Sequence, residues 1–130
     1  MRHIFLIIIL VVLDQITKFY FGYVHNTGSA FGMFKEYSLL LTLFSFTALA
    51  VCFYLMFKFK KYRLMLSFAL AGIIGNLIDR FFLGYVRDFI DIKIIPVFNF
   101  ADAYLNIALI LFIFYELNLW KKLFKLGKIK

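Results

Sequence analysis

The stretch "GIIGNLIDRFFLGYVRDFIDI", residues 72–92, begins like a membrane-spanning segment and then gathers charge. A charged side chain inside hydrocarbon costs about 2.5 to 3.5 kcal/mol on insertion scales, so several at one depth need partners and a function. The stretch therefore predicts a membrane helix with a functional site at its end. Its polar residues, all within sixteen positions, are Asn76, Asp79, Arg80, Arg87, Asp88 and Asp91.

The composition of the whole chain is that of a membrane protein. Of its 130 residues, 65% are hydrophobic, and the mean hydropathy is +0.92, whereas soluble domains are nearer half apolar. A helix needs about 20 apolar residues to cross a bilayer, and the first segment reaches that length only by continuing through Asp14 and Lys18. We expect residues 1–130 to form one integral membrane domain, with spans at about 4–22, 39–57, 64–83 and 103–120.

The basic residues predict the orientation of these spans. Ten of the fifteen Lys and Arg residues precede the first span, join the second to the third, or follow the fourth. By the positive-inside rule, both termini are then cytoplasmic, and residues 21–38 and 84–99 form outer loops. The net charge of +8 is thus expected at a membrane surface, and nucleic acid is not an expected partner.

Two carboxylates near the outer side, Asp88 and Asp102, are not explained by pairing along a helix, whereas Asp14 has such a partner. Asp14 and Lys18 are four residues apart and share a face, so both could be interhelical ties as well as chemical groups. Asp88 and Asp102 are separated by fourteen positions, enough for the loop to return to its starting depth. Two carboxyls in a site of low dielectric share a proton, so that one serves as a base for water and the other as an acid. That arrangement suits amide hydrolysis.

Other chemistries have weaker support in the sequence. Ser29 and His25 lie four residues apart in a glycine-containing loop and form no triad signature. There is no HExxH motif, and the only other histidine is His3, so no metal is expected. Residues 21–36 predict either an interfacial turn or a small sheet whose open edge accepts an extended peptide.

Five short motifs together resemble one family, the bacterial lipoprotein signal peptidases (signal peptidase II). The resemblance implies an all-α membrane protein of four transmembrane helices, with a small extracytoplasmic β-cradle and a loop or short helix. It implies an aspartyl endopeptidase that cleaves diacylglyceryl-modified prolipoproteins before the lipidated cysteine. The motifs are "DQITK" (14–18), "NTGSAFG" (26–32), "GNLIDR" (75–80), "VRDF" (86–89) and "FNFAD" (98–102).

The same resemblance assigns roles to particular residues. It puts the catalytic dyad on Asp88 and Asp102, without a cofactor. Arg87 stands where the family is usually apolar, and would lower the pKa of Asp88 if it pointed toward that carboxyl. The expected supporting and substrate-binding residues are Asp14, Lys18, Asn26, Gly28, Asn76, Arg80 and Asn99.

The expected setting also follows from the resemblance. The enzyme would lie in the bacterial cytoplasmic membrane, with its site near the outer face, and nothing in the sequence demands more than a monomer. Its partners would be lipid-modified prolipoproteins and membrane lipids.

Two other classes of protein remain open on the residues alone. A transporter or ion-conducting protein would need polar residues at all depths, yet helix 4 offers only Asn106 before Glu116. A structural or assembly subunit would use the same charges for helix contacts, and would tolerate Asp to Asn changes.

Overall fold

A computed structural model describes residues 1–27 and 36–117, and these residues form a helical protein with one two-stranded sheet. Three helical segments are long and apolar enough to cross a membrane: Arg2–Phe21, Leu39–Lys58 and Lys60–Leu83. The elements are α1 (Arg2–Phe21), β1 (Val24–Asn26), α2 (Glu36–Lys58), a 3-10 turn (Lys60–Tyr62), α3 (Arg63–Leu83), β2 (Val86–Asp88) and α4 (Phe100–Glu116).

The first three predicted spans are confirmed as helices of spanning length. The fourth begins at Phe100 rather than at residue 103, because the side chain of Asn99 caps it. Residues 118–130 lie outside the described part of the chain. The fourth crossing, and the placement of both termini, therefore stay predictions.

Helix α3 is the central element of the bundle. In its apolar stretch of membrane-spanning length, half of the residues are buried, against 11% in α1 and 6% in α2. Glycine permits the closest approach: a Cβ on Gly72 would lie 2.5 Å from the carbonyl oxygen of Ala101. A Cβ on Gly75 would lie 2.5 Å from Asp14 Oδ2. These two glycines let α4 and α1 pack directly against α3, as small residues do between membrane helices.

The outward faces of α1 and α2 are apolar and exposed. Phe5 is 65% exposed and Phe44 is 69% exposed, which is the arrangement expected of lipid-facing surfaces rather than of a soluble bundle. The buried hydrophobic contacts gather between α2 and α3, where Met56, Leu66 and Leu70 meet.

The segment between α3 and α4 folds back on itself. Gly84 ends α3 in the left-handed conformation, with φ of 78°, which glycine adopts without steric cost. Strand β2 then pairs antiparallel with β1, and Val24 lies opposite Asp88. A further bridge joins Ile90 to Phe98, so immediately before α4 the chain returns to the residues that follow β2. This confirms that the loop reverses between the two candidate carboxylates.

Candidate active site

Asp88 is the last residue of β2, and its carboxyl is buried. It is 1% exposed; its Oδ1 accepts a hydrogen bond from Asn99 Nδ2 at 2.6 Å and its Oδ2 accepts one from Asn26 Nδ2 at 3.0 Å. Burial raises the pKa of Asp88, and the neighbouring charge of Asp102 raises it further, against the lowering effect of the two amide donors and of Lys18. The carboxyl therefore holds a proton at higher pH than an exposed aspartate.

Asp102 is held by the start of α4. It forms a capping box with Asn99: Asp102 N donates to Asn99 Oδ1 at 3.0 Å, and Asn99 N donates to Asp102 Oδ2 at 3.2 Å. The other oxygen, Oδ1, accepts from Asn76 Nδ2 at 2.8 Å. The carboxyl is thus oriented both by its own helix and by α3.

Two asparagines link the carboxyls into one network. Asn99 is completely buried, and its Nδ2 donates to Asn76 Oδ1 at 3.1 Å as well as to Asp88. The hydrogen-bonded path therefore runs from Asp88 through Asn99 and Asn76 to Asp102. We call these four residues the carboxyl–amide cluster.

A second group of charged residues lies directly behind this cluster. Lys18 is 1% exposed; its Nζ lies 2.8 Å from Asp14 Oδ2 and donates to Asn76 Oδ1 at 3.0 Å. Asp14 Oδ1 accepts the backbone N–H of Ala101 at 2.8 Å. Asp14 and Lys18 share a face as predicted, and they tie α1 to α3 and to the beginning of α4.

Arg80 lies beside the cluster and lines a cavity. Its charge interacts with those of Asp102, Asp88 and Asp79. The cavity measures about 570 Å³ and is also lined by Thr27, Leu39, Thr42, Phe81, Gly84 and Tyr85. Next to it, beyond Phe81, an apolar groove of about 340 Å³ runs between α2 and α3 and is lined by Phe46, Leu49, Ile74, Leu77, Ile78 and Phe82.

The structure brings together most of the residues expected at the site. Gly28 lies outside the described residues, as does the rest of the segment 28–32 expected in the β-cradle. The residues gathered in or beside the two groups are Asp14, Lys18, Asn26, Asn76, Arg80, Asp88, Asn99 and Asp102.

The condition under which Arg87 would lower the pKa of Asp88 is not met. Successive side chains of a strand point to opposite faces, so Arg87 points away from Asp88 and binds Asp79 instead. Its hydrogen bond to Asp79 raises the pKa of Arg87, whereas the pKa of Asp88 is raised rather than lowered. The strand alternation of "VRDF" was the signal that could have separated the two residues.

Asp79 and Gln15 were not predicted as site residues, yet they contact the charged group that contains Asp14 and Lys18. Asp79 is fully buried and lies 3.8 Å from Lys18 Nζ. Gln15 Nε2 donates to Asp79 Oδ1 at 3.3 Å and to the carbonyl of Gly75 at 3.0 Å. Gln15 stood inside the quoted motif "DQITK", but an uncharged side chain carried no electrostatic signal.

Asp91, the other acid of the segment, belongs to a different environment. It pairs with the exposed Lys93 at 2.5 Å, and the hydrogen bond from Lys93 lowers the pKa of Asp91.

Among the residues 1–27 and 36–117, no three His, Cys, Asp or Glu side chains are placed to hold a metal ion.

The fold and the site define a class: a helical membrane protein with carboxyl and amide side chains clustered where β2 meets α3 and α4. A family model described as signal peptidase (SPase) II matches residues 16–118. The chain belongs to the signal peptidase II family and is a membrane peptidase, which decides against the transporter and assembly-subunit alternatives.

Relatives and solved structures agree with this assignment. The lipoprotein signal peptidase of Caldanaerobacter subterraneus subsp. tengcongensis is 42% identical over 97 residues, covering 72% of this chain and 67% of that protein. The lipoprotein signal peptidase of Thermodesulfovibrio yellowstonii is 34% identical over 135 residues, covering 86% and 92%. A bacterial membrane enzyme solved by the in meso method at 1.9 Å superposes with a TM-score of 0.81 at 28% identity, covering 89% of this chain and 92% of that one.

Proposed function

We propose that the chain is an intramembrane aspartyl endopeptidase that removes the signal peptide from diacylglyceryl-modified prolipoproteins, cleaving the bond before the lipidated cysteine. The observation that carries the proposal is the carboxyl–amide cluster. It joins Asp88 and Asp102 through two buried asparagines, and one of the two carboxyls has a raised pKa.

In the proposed mechanism, Asp88 and Asp102 share the work of activating water. The ionised carboxyl of the pair takes a proton from water as the water oxygen attacks the scissile carbonyl carbon. The protonated carboxyl donates to the carbonyl oxygen, and the proton taken from water passes to the leaving amine as the C–N bond breaks. As the C=O bond of the product acid re-forms, the proton on the former carbonyl oxygen returns to the carboxyl that gave it. The raised pKa of Asp88 fits the partner that starts protonated.

The asparagines supply orientation in this mechanism. Asn99 donates to Asp88, and Asn76 donates to Asp102. Because amide side chains carry no charge at any working pH, they hold the carboxyls in place without fixing the pair in one protonation state. Asn26, from β1, adds a second donor on Asp88.

The cavity and the groove beside Arg80 suit a peptide that carries acyl chains. The guanidinium can donate to carbonyl and ester oxygens near the scissile bond. The adjoining groove is lined by apolar side chains of α2 and α3, and acyl chains in it would remain in a hydrocarbon environment. The substrate would then enter sideways from the bilayer.

The proposed topology has four crossings, with the site near the extracytoplasmic face of a bacterial cytoplasmic membrane. Lys18 and Asp79 lie toward the end of α1 and α3 that also meets the start of α4. The basic connection 58–63 lies at the opposite end of α3. This separation is what the positive-inside rule requires if that connection is cytoplasmic. We propose a monomer, with prolipoproteins and membrane lipids as partners and no cofactor.

The test is cleavage of a purified prolipoprotein, with and without diacylglyceryl modification, in detergent. Asp88→Asn and Asp102→Asn should each lose about 100-fold or more of turnover, the usual contribution of a general acid or base. Asp91→Asn is the matched control from the same segment and should keep turnover. Near-normal turnover by either dyad variant would disprove the assignment, and equal cleavage of the unmodified substrate would disprove the lipid requirement.

A further inference from the structure

A partly buried ion pair joins β2 to α3. The Arg87 guanidinium donates to Asp79 through two nitrogens, Nη2 to Oδ1 at 2.8 Å and Nε to Oδ2 at 3.2 Å. The backbone N–H of Arg87 also donates to Asp79 Oδ2, at 2.9 Å. One carboxylate therefore binds both the side chain and the main chain of the residue that precedes Asp88.

Helix α1 completes this contact. Arg87 Nη2 donates to Gln15 Oε1 at 2.9 Å, and Gln15 Nε2 in turn donates to Asp79 Oδ1. The end of α1 leaves room for the arginine because Gly22 has no side chain: a Cβ there would lie 2.7 Å from Arg87 Cβ. Three elements thus meet at one guanidinium.

Strand β2 depends on such an anchor for its position. Among the described residues, β2 has three residues and pairs with the three residues of β1, and a single bridge, Ile90 to Phe98, follows it. So small a sheet is marginal by itself. Arg87 and Asp88 point to opposite faces of the strand, so fixing Arg87 on one side fixes the direction of Asp88 on the other. The interaction also balances charge, because Asp14 and Asp79 face two cations, Lys18 and Arg87.

We infer that Arg87, Asp79 and Gln15 form a latch that positions β2 and thereby aims the Asp88 carboxyl at the reacting bond. The inference rests on the proposed function, in which Asp88 activates water. The three are positioning residues, since they act through Asp88 and touch no reacting atom. A misplacement of a catalytic group by about 1 Å costs on the order of 100-fold in rate, so a loosened latch should lower kcat while leaving substrate binding in place.

The test compares Arg87→Met with Lys93→Met in the full-length protein in detergent. Both changes remove one cation from the same outer segment, but Lys93 pairs with Asp91 and not with the latch. Per mole of folded enzyme, measured by size-exclusion chromatography, we expect Arg87→Met to lower kcat by about tenfold to 100-fold, with KM within about twofold of wild type. Lys93→Met should stay within about twofold in both constants. Arg87→Lys, which keeps the charge but not the two-nitrogen contact, should fall between wild type and Arg87→Met.

Hydrogen exchange of the backbone separates this inference from the proposed function. Peptides covering residues 84–90 should exchange faster in Arg87→Met than in wild type or Lys93→Met. Faster exchange with unchanged kcat would overturn the positioning role, and unchanged exchange would overturn the latch itself. If the wild-type protein cleaves no prolipoprotein, the proposed function fails on that result alone, and the exchange comparison still decides whether the latch holds β2.

Because Asp79 is buried between two cations, its substitution provides a second variant. Asp79→Asn alone leaves Arg87 and Lys18 without a shared carboxylate, so poor folding is expected. The double variant Arg87→Met, Asp79→Asn removes one charge of each sign and should yield more folded protein than Asp79→Asn alone. A double variant that folds no better would show that the two side chains do not act as a pair.

Discussion

Replacing Asn99 should damage both the stability of the protein and its activity, because this residue carries out two tasks. Its Oδ1 caps α4 by accepting from Asp102 N, and its Nδ2 donates to Asp88. Loss of an N-cap costs about 1 kcal/mol, and a buried acceptor left without its hydrogen bond costs about 1 to 3 kcal/mol. We therefore expect Asn99→Ala to lower the free energy of unfolding by about 2 to 4 kcal/mol, and to lower cleavage by at least about 100-fold.

One variant separates the capping contribution from the hydrogen bond to Asp88, and a second variant is the control. Asn99→Ser keeps a good cap but cannot reach Asp88, so it should recover about 1 kcal/mol of stability and little activity. Asn106→Ala makes the same truncation at an exposed position of the same helix, and should change neither quantity. The assays are reversible unfolding in mixed detergent micelles and cleavage of a lipid-modified prolipoprotein. If Asn99→Ala and Asn106→Ala were equally stable, the reasoning about the buried network would be refuted.

Three further results are expected. Gly75→Ala should destabilise the protein by about 1 to 3 kcal/mol in the same unfolding assay, because the added Cβ would lie 2.5 Å from Asp14 Oδ2; an unchanged stability would mean that α1 can move away freely. Asp91→Asn should leave cleavage within about twofold of wild type, since its pair with Lys93 is largely exposed, and a dead variant would move the catalytic role to that acid. The raised pKa of Asp88 means that the folded protein binds more protons than the unfolded chain between the unfolded and the folded pKa, so wild type loses stability as the pH rises through that window. The melting temperature of Asp88→Asn relative to wild type should therefore increase as the pH rises above about 4, the ordinary pKa of an aspartate, and a constant difference would contradict it.

The helices of this protein could be predicted from hydropathy because each apolar segment approaches the length that hydrocarbon imposes. Helix α3 was expected over 64–83 and runs over Arg63–Leu83. Helix α4 begins three residues before its expected start, since the apolar run opens at residue 103 but the cap at Asn99 sets the first turn. Hydropathy detects the apolar stretch, whereas the end of a helix is fixed by local hydrogen bonds.

The carboxylates of the candidate site could be predicted from the sequence, because charge is rare in so apolar a chain. Contacts that depend on three-dimensional geometry could not. Asp88 and Asp102 were found because unpaired carboxylates are costly in an apolar chain. The partner of Arg87 was missed, because the contact with Asp79 depends on how a three-residue strand crosses the end of α3. The role of Gln15 also needed coordinates, since nothing in its composition or spacing distinguished it from a surface amide.

The charges buried beside the site find their counter-ions close by in the chain. Lys18 follows Asp14 by one helical turn, and Arg87 follows Asp79 by eight positions, so both carboxylates can be neutralised before α4 has been synthesised. Each unpaired charge would otherwise oppose insertion by about 2.5 to 3.5 kcal/mol. A nascent α1 can therefore partition into the bilayer as an electrically balanced segment, and its biogenesis does not have to wait for the contacts that later assemble around it.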